Sequence, residues 1–312
     1  MASDTQNIEI DNKMNDIKKQ LSQLPGMTSI PERMHLYQYA SHEYSGEGEI
    51  VDLGCWLGSS TISLGMGLAN NDRVKVKENR IHSFDLFKWT PAMAKHPSIV
   101  GTSMEGKYQQ GESFLDEYLK RVESWGLFID ANQSDLTQTH WTGDSKIDYL
   151  FIDAMKSWSL IENIMKGFFP FLVPERSLIH HNDWINTLQY EIHLLMYRLR
   201  DCFEPIAQVK NAMIFKLKHP VSDDILNDSY SSESFSEQEI DSAFNYALTI
   251  SSIPETHPSI AAAKVKCLID IGKLEKAQLE FNLAKLKKDT VSKPGFNYDR
   301  MFERLERLLS KK

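Results

Sequence analysis

The chain has 312 residues, 41% of them hydrophobic and 25% charged, a balance that excludes disorder over most of its length. Lys and Arg number 35 against 43 Asp and Glu, a formal net charge of -8, so the basic footprint of a general nucleic-acid binder is missing. The three cysteines, Cys55, Cys202 and Cys267, lack CxxC spacing, which excludes a disulfide framework and a thiolate zinc site and favours a reducing, cytoplasmic setting.

The first residues, MASDTQNIEIDNKMND, are polar and hold no apolar leader core. No apolar run approaches the ~20 residues of a membrane span, so no membrane partner is expected. Residues 1–48 read as a helical segment. Met14, Ile17, Leu21 and Leu24 have weak helical spacing that Pro25-Gly26 ends. Pro31 opens a second helix at its first turn, and Ser45-Gly-Glu-Gly48 breaks it.

From residue 49 to 218, short apolar runs alternate with helical patterns. Strands are predicted at 50–53, 80–84, 127–129, 148–152, 177–180 and 212–217. Helices are predicted at 60–69, 113–125, 161–169 and 184–202. Strands separated by helices argue for a parallel sheet with crossover helices, and 212–217 is short enough to be an antiparallel edge. Residues 219–236, rich in Ser and Asp, have linker composition. Helices fill 237–312, and the stretch from Ala261 to Ala277 around Gly272 resembles a tetratricopeptide-type helical pair. This appendage is expected to pack on the main domain, on a second copy in a homo-oligomer, or on a protein partner.

The first strand ends in Asp52 and runs into Gly54-Cys-Trp-Leu-Gly58-Ser-Ser60 before a helix. Glycines let the backbone turn sharply and approach a ligand closely, and the helix start offers free N–H groups. A tight strand-to-helix turn would use the same residues. The spacing is not GxGxxG and no GK[ST] follows, which removes the dinucleotide and P-loop readings. The second strand ends in Asp85, placed either to hold a ribose diol or to cap the following turn.

Together these segments resemble the cofactor site of class I S-adenosylmethionine-dependent methyltransferases, over roughly residues 26–217. The resemblance implies a Rossmann-like doubly wound, mostly parallel α/β sheet, here with an all-α C-terminal appendage. It implies a methionine-binding loop of Asp52, Gly54, Gly58 and Ser60, a ribose ligand in Asp85, and adenine contacts from Ser134 and Asp135.

The fourth strand delivers Asp153, with Lys156 three residues on, and the fifth ends in His180-His181-Asn182-Asp183. Three oxygen donors from Asp153, Asn182 and Asp183 suit a hard cation such as Mg²⁺; a structural hydrogen-bond cluster is the other reading. This pattern resembles the metal-dependent O-methyltransferases of the catechol, caffeoyl-CoA and macrocin types. Asp-x-x-Lys is intact, whereas the Asp-Asn dipeptide of the first two types is reversed to Asn182-Asp183. The resemblance implies Asp153 beside both cofactor and metal, and Lys156 as general base on a small-molecule or glycoside hydroxyl. His181, at the strand end, is an alternative base or a buried histidine.

Residues 86–124 form a long insertion with Phe87, Trp89, Met93, Met104 and Tyr108, either a substrate lid or a loop that packs its aromatics inward. Tyr37, His42 and Trp184 are further pocket candidates. Two alternatives accompany the methyltransferase reading. One is a metal-independent methyltransferase or hydroxylase-like enzyme on the same fold. The other is a scaffold whose methyltransferase-like domain is inactive.

Overall fold

The structure is a computed structural model that describes residues 2–291 and 298–310. It contains a seven-stranded, mostly parallel sheet; its strands β1 (Glu49–Leu53), β2 (Ile81–Asp85), β3 (Ile129–Gln133), β4 (Ile147–Ile152), β5 (Leu178–His181), β6 (Phe203–Val209) and β7 (Ala212–Leu217) lie in the order β3-β2-β1-β4-β5-β7-β6. This is the expected doubly wound α/β architecture, followed by helices to the C-terminus. The chain divides into two compact units, one ending at Asp135 and the other starting at Leu136.

The first unit opens with helices Ala2–Ser22 and Ile30–Gln38. Ser29 starts the second through a reciprocal box. Its Oγ accepts the Glu32 N–H at 3.4 Å, and Glu32 Oε2 accepts the Ser29 N–H at 2.7 Å. The buried Arg33 guanidinium donates to the carbonyls of Leu21, Leu24 and Gly26, which ties down the end of the preceding helix.

Strands β1 (Glu49–Leu53), β2 (Ile81–Asp85) and β3 (Ile129–Gln133) pair in parallel. The third strand begins where the predicted one ended. Leu127 and Phe128 lie instead in a 3₁₀ turn, and Leu127 is exposed. Helix Ser59–Ala69 crosses Ile30–Gln38 closely at Gly67.

In the second unit β4 (Ile147–Ile152) pairs in parallel with β5 (Leu178–His181). β7 (Ala212–Leu217) lies antiparallel between β5 and β6 (Phe203–Val209). The antiparallel direction at 212–217 was expected; the outer strand β6 was not. The helix predicted over 184–202 is shorter, Glu191–Arg198, because residues 183–190 form turns.

Leu226, Tyr230 and Phe235, within the Ser- and Asp-rich stretch, are buried. The Trp158 ring stacks on Tyr230 and Phe235, and the Arg198 guanidinium lies 3.8 Å from the Phe235 centroid. Helices Glu237–Ile250, His257–Asp270, Leu274–Val291 and Tyr298–Leu309 complete the chain. The last three share a core that includes Leu268, Ala277, Phe281 and Phe302. Among the described residues no helix is long and apolar enough to cross a membrane.

At Gly67 an added Cβ would sit 2.5 Å from the Tyr37 carbonyl oxygen and 2.7 Å from the Ala40 methyl. Overpacking of a tight crossing costs roughly 1–3 kcal/mol. Urea denaturation of Gly67→Ala should therefore show a loss of that size, despite alanine's better helix propensity. Unchanged or higher stability would mean that the crossing adjusts freely.

Candidate functional site

In the first unit, β1 drives Asp52 into the interior, where its side chain is fully buried. Its Oδ2 accepts hydrogen bonds from Ser60 Oγ at 2.8 Å and Thr61 Oγ1 at 2.6 Å, both in the first turn of helix Ser59–Ala69. Burial pushes the carboxyl up to about 6, against the lowering effect of the two hydroxyls. Tyr118 extends the network, donating from its hydroxyl to Ser83 Oγ at 2.7 Å and Thr61 Oγ1 at 3.3 Å.

The loop between strand and helix has left-handed φ values at Gly54 (88°), Trp56 (44°) and Gly58 (82°). Gly54 and Gly58 carry this at no steric cost, whereas Trp56 must be held there. Asp85, at the end of β2, does the holding. Its Oδ2 accepts the Trp56 N–H at 2.9 Å, and its Oδ1 accepts the Phe87 N–H at 2.7 Å. The Trp56 ring packs edge-on against His96, with centroids 5.1 Å apart. At Gly58 a side chain would also press on Tyr118 and Val122, 3.2 Å away.

The structure thus gathers Asp52, Gly54, Gly58, Ser60 and Asp85 around one loop. Ser134 follows β3, and its N–H donates to the Asp85 carbonyl at 2.9 Å. Asp135 follows it and is exposed.

The insertion turns its aromatics inward. Phe87, Trp89, Met104 and Phe114 are buried, and Trp89 packs on Tyr108 and Phe114 at 5.4 and 5.8 Å. The packing alternative therefore describes these side chains. Trp56, Thr61, Ser83 and Tyr118 were not singled out from the sequence. Tyr118 lies 57 residues from Thr61, so no local pattern signals the contact.

The second unit brings together Asp153, Lys156 and Asp183. Lys156 Nζ lies 3.0 Å from Asp153 Oδ1 and 3.6 Å from Asp183 Oδ2. The carboxylate side chains are 14% and 16% exposed, whereas that of Lys156 is 45% exposed, so the ammonium covers the carboxylates from the solvent side. Burial raises the Asp153 carboxyl; Lys156 opposes this and the Asp183 charge adds to it. For Lys156, burial lowers the pKa, but the two carboxylates outweigh it and the net direction is up. In this arrangement Lys156 is an ammonium, which cannot accept a proton. The base role that the resemblance implies for Lys156 therefore needs a neighbouring positive charge in addition to burial.

Asn182 continues the sheet, its N–H donating to the Ile152 carbonyl at 3.0 Å. Asn182 Oδ1 and Asp183 Oδ2 are buried without a hydrogen-bond partner. With the Asp153 carboxylate they make three oxygen donors, a set whose chemistry fits a hard divalent cation. Among the described residues no group of three His, Cys, Asp or Glu side chains is placed to hold a metal; the set here includes an amide.

His181 is fully buried, with both ring nitrogens unpartnered, and burial next to His193 lowers its pKa to about 3. His180 is equally buried, its Nδ1 2.7 Å from the Tyr149 hydroxyl. Adjacent strand residues face opposite ways, yet both are enclosed because both faces of β5 are covered. His181 therefore belongs to the interior and stays neutral. Trp184 is also interior, its Nε1 donating to Ser251 Oγ at 2.9 Å.

No protein-family model matches the chain, and no curated protein matches it in sequence. Three solved structures are similar at low identity. The O-methyltransferase NovP has a TM-score of 0.47 and 11% identity, over 61% of this chain and 81% of that one. The calicheamicin methyltransferase CalS11 has 0.40 and 12%, over 67% and 92%. The N-methyltransferase NodS from Bradyrhizobium japonicum WM9, solved with S-adenosyl-L-homocysteine, has 0.37 and 10%, over 65% and 99%.

The Asp52 environment makes a prediction about pH. Its folded pKa is raised from 3.8 to about 6, so the folded state holds the proton more tightly than the unfolded one. Its contribution to stability is full below about pH 4 and is lost as pH rises to about 6. Asp52→Asn keeps an oxygen acceptor and removes that loss. Denaturation midpoints should show the variant gaining on the wild type across this window, by on the order of 3 kcal/mol at pH 7. Parallel pH profiles for the two proteins would contradict the assignment.

Proposed function

We propose that this chain is an S-adenosylmethionine-dependent methyltransferase that acts on a hydroxyl of a small molecule or glycoside. The observation that carries the proposal is the loop from Gly54 to Gly58, held open in left-handed backbone by the Asp85 carboxylate at the neighbouring strand end. Such a loop lets a ligand approach the backbone, and the start of helix Ser59–Ala69 adds free N–H groups. The Asp85 carboxylate takes the Trp56 and Phe87 N–H groups, and an acidic side chain at the end of the strand next to such a loop is of the type that holds a ribose diol.

Methyl transfer needs an oxygen nucleophile in line with the sulfonium and held at near-attack distance. Asp153, Asn182 and Asp183 supply the polar edge for this. Mg²⁺ bound to their oxygens would acidify and orient the acceptor hydroxyl. Lys156 shares two of those groups. Once the carboxylates are neutralised, the ammonium loses what keeps it protonated, and burial then lowers its pKa toward the range of a general base. The Lys156 ion pairs also favour a second reading, a metal-independent enzyme in which the ammonium itself is the cation of the site.

Isothermal titration with S-adenosylhomocysteine tests the cofactor site. Binding should persist in chelator and weaken at least about tenfold in Asp85→Ala, which removes charged acceptors worth roughly 1.5–3 kcal/mol. No binding by the wild type under any condition would leave the scaffold reading.

Methyl transfer to a panel of glycoside and phenol acceptors tests the second cluster. Asp153→Ala should retain S-adenosylhomocysteine binding and lose transfer. Chelator should abolish transfer if the metal reading holds, and leave it intact in the metal-independent one. Wild-type rates in Asp153→Ala would remove this cluster from the chemistry.

A further inference from the structure

Two loops assemble the second cluster. Asp153 and Lys156 follow β4, and Asp183 follows β5. The 3.6 Å contact between Lys156 Nζ and Asp183 Oδ2 crosses from one loop to the other, and so does the oxygen set of Asp153, Asn182 and Asp183. Both therefore depend on the distance between the loops. The sheet sets that distance as far as the Ile152–His181 pair and the Asn182 N–H. Beyond it the loops leave the ladder.

Both loops then run into an aromatic residue that reaches one and the same hydroxyl. Trp158, two residues after Lys156, opens helix Trp158–Phe168, and its Nε1 donates to Ser232 Oγ at 3.1 Å. Tyr190 ends the other loop, just before helix Glu191–Arg198, and its hydroxyl lies 2.7 Å from Ser232 Oγ. Tyr190 and Ser232 are buried. A serine hydroxyl offers one donor and two acceptor sites, so it can serve both partners at once.

The segment that carries Ser232 is held on both sides. The Tyr230 N–H donates to Glu162 Oε1 of helix Trp158–Phe168 at 2.7 Å. Arg198, at the end of helix Glu191–Arg198, donates from Nη2 to the Ser234 carbonyl at 2.7 Å and pairs with Glu239 at 2.8 Å. A second hydroxyl repeats the arrangement, because Ser251 accepts the indole N–H of Trp184, the residue after Asp183. A mere connection between domains needs none of these bonds.

We propose that Ser232 is a positioning residue: it ties the loop after β4 to the loop after β5 and so sets the spacing of Asp153, Lys156 and Asp183. The stretch that reads as a linker is then a working part of the site. The effect on turnover rests on the methyltransferase reading; the tie itself does not.

The test is a double-mutant cycle in the full-length protein. Trp158→Phe and Tyr190→Phe each remove one bond to Ser232 and keep the ring. A tie cut at either end is cut completely. Each variant should therefore lower kcat by about tenfold, within the range for a misplaced reacting group, and leave acceptor KM and S-adenosylhomocysteine affinity unchanged. The double variant should lose no more than either single one, whereas two independent bonds would multiply to about a hundredfold. Ser232→Ala should match the double variant, and Ser232→Thr, which keeps the hydroxyl, should recover most of kcat.

Amide hydrogen exchange tests the tie without turnover. In Ser232→Ala, peptides covering 153–158 and 182–190 should both exchange faster than in the wild type, and peptides from the unit ending at Asp135 should not. Three outcomes overturn the assignment: the two phenylalanine effects multiply, Ser232→Ala keeps the wild-type kcat, or only one of the two loops exchanges faster. If the wild type transfers no methyl group, the methyltransferase reading falls and the exchange result alone decides the tie.

Discussion

A carboxylate carried into the interior by a strand must find donors there, because desolvating an unpaired charge costs far more than a fold can spare. Five aspartates meet this demand at or near strand ends in four ways. Asp52 takes two hydroxyls from a helix start. Asp85 takes two backbone N–H groups. Asp148, inside β4, takes the Arg176 guanidinium at 2.6 Å. Asp153 and Asp183 share one lysine.

The solutions differ in how readily their donors can leave. Ser60 and Thr61 are fixed in a helix, so Asp52 serves architecture: it anchors the helix that follows the glycine loop. Asp85 is intermediate. Its donors are backbone N–H groups of two turns, and the bond to Trp56 holds a residue in a conformation it would not choose alone. Lys156 reaches its carboxylates on a flexible four-carbon stem that is nearly half exposed. Its ammonium can be displaced without disturbing the backbone. Of the strand-end carboxylates, those next to Lys156 are therefore the ones a cation or a substrate can claim.

The sequence shows the strand ends clearly because they are written locally: an apolar run, then Asp, then small or polar residues. This made Asp52, Asp85, Asp153 and Asp183 legible, and so was the helical character of the tail. Three features escaped for identifiable reasons. The outer strand β6 contains Pro205 and has a register shift between Pro205 and Ala207, so its pattern is not a clean alternation. Leu127 and Phe128 are apolar but belong to a turn, where composition misleads. Tyr118 reaches Ser83 and Thr61 only through the fold. For Lys156, the residue was legible and its protonation was not, because the outcome depends on two carboxylates that sequence spacing alone does not weigh against burial.

The segment after β5 shows why an irregular stretch occupies a place where periodicity favours a helix. A helix running from Trp184 would have made Asp183 its cap. The free N–H groups of its first turn would then have taken the carboxylate oxygens, as the first turn after Gly58 supplies the hydroxyls that hold Asp52. Instead Asn186 turns back on Asp183, its N–H to the carbonyl at 2.9 Å and its Nδ2 to Oδ1 at 3.1 Å, the local competition by which Asp and Asn displace helical hydrogen bonds. One carboxylate oxygen is occupied and Oδ2 is left buried without a hydrogen bond. The irregular loop thus keeps a polar atom available next to Lys156.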